Sequence, residues 1–134
     1  TMNTLLNENV VKFSPGVKDH IFDMLNFMET VRREVHAEVP PQQMVILFFV
    51  ALNQGITQAE LAKQLSMPEG TVSRNLAKLS SKLKRGKDGG AEMFGYGLIE
   101  TRQDDLDDSR KKLVYVTEKG ARIIEILEKK LYHA

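Results

Sequence analysis

The residues with the most legible chemistry are six cations packed into one short stretch. Between Thr71 and Lys87 the chain carries Arg74, Lys78, Lys82, Lys84, Arg85 and Lys87, and no acid. The body around them is slightly acidic: residues 1–70 hold five Lys or Arg against eight Asp or Glu, and residues 88–134 hold eight against ten. The net charge of +1 over 134 residues therefore hides a local excess. A concentrated positive patch on a near-neutral body suits a phosphate backbone. A solvated helix face is the plain alternative, but such faces usually mix signs.

Other chemistry fails on spacing. Asp104, Asp105, Asp107 and Asp108 lack the central glycine and distal glutamate of a calcium loop. His20, His36 and His133 share no ligand spacing, so each reads as a surface or internally satisfied histidine and no metal is expected. The chain has no GxxxxGK[ST], and the Gly95/Gly97 pair lacks the third glycine of a dinucleotide loop, so no cofactor is expected. No nucleophile, base and orienting acid form a recognisable catalytic set, which argues against an enzyme. With no cysteine, disulfides, thiolate metal sites and thiol redox switches are excluded. The longest apolar run, Met44 to Leu52, is too short to span a bilayer and no signal peptide opens the sequence, so a cytoplasmic protein is expected.

The elements that must position the basic block can be read from capping and periodicity. In the stretch Ile56 to Leu83, Thr57 caps a short helix with Glu60 completing a capping box, and Ser66-Met67-Pro68 breaks it. A second helix follows, with Val72, Leu76, Leu79 and Leu83 on its inner face and Arg74, Lys78, Ser81 and Arg85 on its outer one. A short helix, a sharp turn and a helix with a basic outer face make a helix-turn-helix, whose second helix enters the DNA major groove.

Upstream, residues 1–13 read as an arm, either poorly ordered or packed on a partner. Ser14-Pro15 starts a long helix in which Val17, Ile21, Met24, Leu25, Met28, Val31 and Val35 form an apolar stripe widened by Phe22 and Phe27. The stripe suits either a dimer contact or packing within the monomer. Gln42 to Asn53 is the most apolar segment and is expected at the buried centre, ended by Gln54-Gly55. Downstream, Arg85 to Gly97 holds five glycines, and its first half reads as a mobile loop. Met93, Phe94 and Tyr96 are expected to fold onto the core. Leu98–Arg102 and Lys112–Val116 read as the strands of a hairpin, with Gln103 to Lys111 as its tip. Thr117 then caps a final helix from Glu118 to about Tyr132.

This order of elements, with TQAELAKQL, TVSRNLAKL and GLIETR…DLDDSRKKLVYVTEKG, resembles the MarR family of winged helix-turn-helix transcription regulators, from roughly Val17 to Leu127. Asp105, Asp108 and Arg110 match the family's wing spacing, and Val116, Thr117 and Gly120 stand where its last strand meets the next helix. The resemblance implies a mainly α fold with a small β-hairpin, forming one domain over 1–134. Residues 57–116 would be the DNA-binding lobe, and 14–36 and 117–134 would be dimerisation helices.

The DNA-facing set it implies is Thr71, Ser73, Arg74, Asn75 and Lys78 on the recognition helix, with Arg110 and Lys111 on the wing and Asp108 supporting Arg110. Lys82, Lys84 and Arg85 extend that set along the basic block. Arginine can give two hydrogen bonds to a guanine edge and asparagine can pair with adenine, or either can grip phosphate. Arg110 would enter a narrow minor groove.

Two departures stand out. Some thirteen residues separate Leu83 from Gly97 where typical members have a few. This insertion is either a phosphate clamp built on Lys84, Arg85 and Lys87 or a plain surface loop. The family also usually adds a further dimer-forming helix, so with the sequence ending at Ala134 the contacts are expected from the first and final helices.

The expected function is a homodimeric repressor that binds double-stranded DNA. Replication or partition control in a phage or plasmid is the alternative, and a winged helix used only for protein contacts is a third reading. Many relatives bind small aromatic ligands. Phe22, Met24, Phe27 and Met28 could line such a cleft, or serve as core or dimer contacts.

Overall fold

The computed structural model describes residues 9–104 and 111–133. Their order is α1 (Pro15–Glu34), α2 (Pro41–Leu52), β1 (Ile56–Thr57), α3 (Gln58–Gln64), α4 (Glu69–Leu79), β2 (Lys82–Arg85), β3 (Ala91–Phe94), β4 (Ile99–Gln103), β5 (Lys112–Val116) and α5 (Glu118–Glu128). The chain is thus mainly helical with small antiparallel sheets, a winged helix-turn-helix. Most of the expected arm, and the wing tip with Asp105, Asp108 and Arg110, lie outside the described residues. Among the described residues no helix is long and apolar enough to cross a membrane.

The caps form where the sequence puts them. The Ser14 hydroxyl accepts the Val17 N–H at 3.2 Å, with Pro15 opening α1, and the Thr57 hydroxyl accepts the Glu60 N–H at 3.1 Å. The reciprocal half of that capping box is replaced, because the Glu60 carboxylate instead accepts from the Gln64 amide at 2.8 Å. Helix α2 is the centre of the core. Its Ile46, Leu47 and Val50 are fully buried with Leu61 of α3 and with Val72 and Leu79 of α4, and each such side chain contributes about 1.5–3 kcal/mol relative to exposure. This packing fixes the helix-turn-helix on the body.

Strand β5 is central in the first sheet, between β1 and β4. Ile56 pairs with Val114, and β4 runs against β5 from Ile99↔Val116 to Gln103↔Lys112, which is the expected wing. Where the wing returns to α5, the Thr117 hydroxyl accepts the Gly120 N–H at 3.0 Å and donates to the Gly97 carbonyl at 2.6 Å. Gly120 is required at this junction, since a Cβ there would lie 2.1 Å from the Leu98 carbonyl oxygen.

Several expectations are corrected. Helix α4 stops at Leu79, not Leu83, so Ser81 and Arg85 leave its outer face. The reason is tertiary: the chain returns past the helix end, and Tyr96, Leu98 and Gly97 donate their N–H groups to the carbonyls of Lys78, Leu79 and Ser80. Those terminal carbonyls would otherwise lack partners.

The first half of Arg85 to Gly97, expected as a mobile loop, is the turn of a second hairpin, with β2 and β3 paired from Lys82↔Phe94 to Arg85↔Ala91 and Gly86 to Gly90 turning the chain. Gly95, at φ +94°, closes its base, and a Cβ there would lie 1.8 Å from the Ser80 carbonyl oxygen. Tyr96 packs on the core as expected and Phe94 is half-buried, but Met93 faces solvent at 65% exposure.

Helix α5 ends at Glu128, short of Tyr132. The stripe on α1 is mostly uncovered: Val31 is buried, and Phe27 packs on Phe48 with ring centroids 5.9 Å apart. Val17, Ile21, Phe22, Met24, Leu25 and Met28 remain exposed. Beside that face, the buried Asp23 carboxylate accepts the His133 backbone N–H at 2.6 Å and meets its ring Nδ1 at 2.9 Å. His20 Nε2 lies 2.9 Å from the His133 carbonyl oxygen.

Candidate nucleic-acid interface

Helix α4 buries Val72, Leu76 and Leu79 and turns Ser73 and Arg74 outward. Burial at these three positions fixes the helix's rotation, so the exposure of Arg74 follows from the core. The Arg74 guanidinium lies back along the helix, 3.3 Å from the Thr71 hydroxyl, and keeps most of its donors toward solvent. Thr71 and Asn75 are half-buried. Asn75 gives one amide N–H to the Thr71 carbonyl at 2.9 Å, which reduces what it can offer to a base.

The turn between α3 and α4 holds Ser66 at φ +53°. Beyond it, Glu69 and Ser73 of α4 face Thr57, Gln58 and Ala59 at the start of α3 and Lys111 and Lys112 at the start of the wing strand. These residues line an open cleft of about 460 Å³. The fold therefore brings Ser73 and Lys111 together from positions far apart in sequence. Gln58 and Lys112 join them without having been singled out, since an ordinary glutamine and lysine carry no motif. A second cleft of about 490 Å³, lined by Phe49, Asn53, Gln54, Glu60 and Gln64 among others, holds none of the expected site residues.

At the other end of α4, Lys78 is half-buried because it lies over the Phe94 ring, with Nζ 4.5 Å from the centroid. Lys84 Nζ lies 4.1 Å from the same ring. Lys82, Lys84 and Arg85 all stand exposed on β2 rather than on the recognition helix. In the wing, Arg102 is held against the Tyr115 ring at 4.0 Å and by the Glu100 carboxylate at 2.6 Å. Burial raises the Tyr96 phenol above the ordinary tyrosine range, and its ring lies 5.9 Å from that of His36. Among the described residues no group of three or more His, Cys, Asp or Glu could hold a metal.

Comparison with known proteins fits this architecture. Residues 37–82, spanning α2 through α4, match the model of the MarR family. No curated protein matches the chain. Among solved structures it is similar to a complex of Staphylococcus aureus MepR with DNA, at 22% identity and a TM-score of 0.60 over 81% of this chain and 75% of that one. It is similar to a mutant Escherichia coli MarR complexed with operator DNA, at 22% identity and 0.57 over 86% and 66%. It is also similar to Streptococcus pneumoniae FabT in complex with DNA, at 23% and 0.55 over 82% and 67%. At these identities the likeness is one of fold. The resemblance to the MarR family thus holds in sequence over the helix-turn-helix and in fold over most of the chain.

Proposed function

We propose that this chain is a sequence-specific regulator of transcription that binds double-stranded DNA as a homodimer, with α4 in the major groove and the β4–β5 wing in the minor groove. The observation that carries the reading is the outer face of α4, where Ser73 and Arg74 stand exposed between the Lys111–Lys112 cleft and the basic strand β2. A helix used only for protein contacts would present an acidic or apolar face there. Arg74 is the base-reading candidate, through a bidentate contact worth about 1–3 kcal/mol of discrimination. Ser73, Thr71 and Lys111 serve as backbone contacts, and Arg110, with Asp108 to orient it, as the minor-groove contact.

The uncovered apolar face of α1 supports the dimer, since monomers rarely leave so broad an apolar patch in water. Two copies related by a two-fold axis would read an inverted repeat, and occupancy of a promoter makes repression the simplest outcome. A small aromatic ligand, if one acts, would sit where the dimer face meets the DNA-binding lobe. Such a regulator works in the cytoplasm. Selection from random duplex pools followed by sequencing of the bound fraction tests the reading. Recovery of an inverted repeat supports it, and recovery of nothing at low salt refutes it.

A further inference from the structure

The β2–β3 hairpin carries cations that neither the helix-turn-helix nor the wing uses. Strand alternation puts Lys82, Lys84, Glu92 and Phe94 on one face, and Leu83, Arg85, Ala91 and Met93 on the other. The lysine-bearing face is turned to the end of the recognition helix, because Lys78 of α4 and Lys84 of β2 both lie over Phe94. The base is held as well. Tyr96 donates to the Lys78 carbonyl at 2.9 Å, Leu98 donates to the Leu79 carbonyl at 2.7 Å, and Gly95 passes too close to Ser80 for any side chain. The hairpin and α4 therefore form one continuous surface.

The charge on that surface is available. Lys82 and Lys84 on the lysine-bearing face, Lys87 in the turn and Arg85 on the opposite face are exposed, and among the described residues none of them pairs with a carboxylate. Glu92 shares the lysine-bearing face without pairing with Lys84, and both acids of the hairpin lie against its turn. Asp88 accepts the Gly90 N–H at 3.0 Å, and the Glu92 side chain lies against Gly86, within 2.6 Å of where a Cβ would stand.

We propose that this hairpin is a phosphate-gripping arm, which holds the duplex backbone on the flank of the base pairs that α4 reads. The inference rests on the DNA-binding reading above and adds a contact surface to it. Lysines on an exposed strand are point charges suited to phosphate, and they carry no base information. The arm therefore adds affinity and salt dependence and leaves sequence preference unchanged.

The test compares wild type with Lys82→Gln/Lys84→Gln/Lys87→Gln on a duplex recovered by selection, by salt-titrated binding and hydroxyl-radical footprinting. Because Lys84 also touches Phe94, the double variant Lys82→Gln/Lys87→Gln, which leaves that packing intact, serves as the second variant. The slope of log K against log salt shrinks by about 0.9 for each phosphate no longer neutralised, and a bound dimer carries two arms, so the expected falls are about 5.4 and about 3.6. The footprint should shorten at its outer edges while the ratio of selected to scrambled duplex is kept. An unchanged slope and footprint in both variants, with wild type still bound, overturns the arm and leaves the DNA-binding reading standing. Failure of wild type to bind any duplex overturns both.

Discussion

Phe94→Leu isolates the joint between the recognition helix and the hairpin. Leucine keeps most of the apolar packing of this half-buried side chain and removes the ring face on which Lys78 and Lys84 sit at 4.5 and 4.1 Å. Each cation over a ring contributes about 0.5–1 kcal/mol at an exposed site, and because Lys84 stands on the hairpin itself, only the Lys78 contact, about 0.5–1 kcal/mol, ties the hairpin to α4. The amide that reports closure is Tyr96, whose N–H is bonded to the Lys78 carbonyl. In the opened hairpin that amide exchanges with solvent. A loss of about 0.5–1 kcal/mol should lower its hydrogen-exchange protection about 2–5-fold. The Gly55 amide, bonded to Val114 in the other sheet, is the internal control and should not move. Tyr96 protection unchanged from wild type would show that the ring does not hold the hairpin. Equal losses at both amides would show global destabilisation instead of a loosened joint.

Three further outcomes follow from the packing. Thr117→Ala removes a helix cap and the hydroxyl donor to the Gly97 carbonyl, so it should cost about 1–2 kcal/mol by thermal or urea unfolding, with Thr117→Ser recovering most of it. Leu25→Glu, on the uncovered face of α1, should convert a dimer to a monomer by light scattering, whereas a wild-type monomer at micromolar concentration would count against the dimer. For the Asp23–His133 pair, the Asp23 carboxylate raises the His133 ring above the ordinary histidine value against the opposing effect of burial. Burial pushes the Asp23 carboxyl up, but the His133 backbone and ring hydrogen bonds and the charges of His133 and His20 outweigh it and hold that carboxyl below its usual range. The Asp23 contribution to stability is lost as pH falls through its depressed value, and the His133 contribution as pH rises through its raised one. The pair is therefore strongest between roughly pH 4 and 6.5, and an NMR titration should find the His133 value elevated in wild type and lowered in Asp23→Asn.

What can be read from the sequence is local. Ser14, Thr57 and Thr117 announce their helices because a cap and its partner lie three residues apart, and the wing strands show through Leu98-Ile99 and Leu113 to Val116. What escapes it depends on pairing across distance. Leu83 falls at helical spacing from Val72 by coincidence, so periodicity alone runs α4 past Leu79; pairing with Met93 is what makes it a strand residue. The glycines at 86, 89 and 90 read as loop, yet they form the turn of a hairpin. Strand β1 is two residues long and exists only against β5. His133 meets Asp23 across 110 residues, beyond any spacing rule. In the candidate site, Arg74 and Ser73 are legible because the apolar stripe fixes the helix's rotation. Lys112 and Gln58 are not, because only the fold brings them to the cleft.

Sequence-specific binding of duplex DNA is tested most directly by fluorescence anisotropy. The full chain is titrated onto a duplex recovered by selection and onto the same duplex scrambled, at about 0.15 M salt, where unspecific attraction is largely screened. The selected sequence should be preferred by about a thousandfold or more, and Arg74→Ala should reduce that preference. Equal affinity for the two duplexes, or no binding to either, would contradict a DNA-reading role for α4.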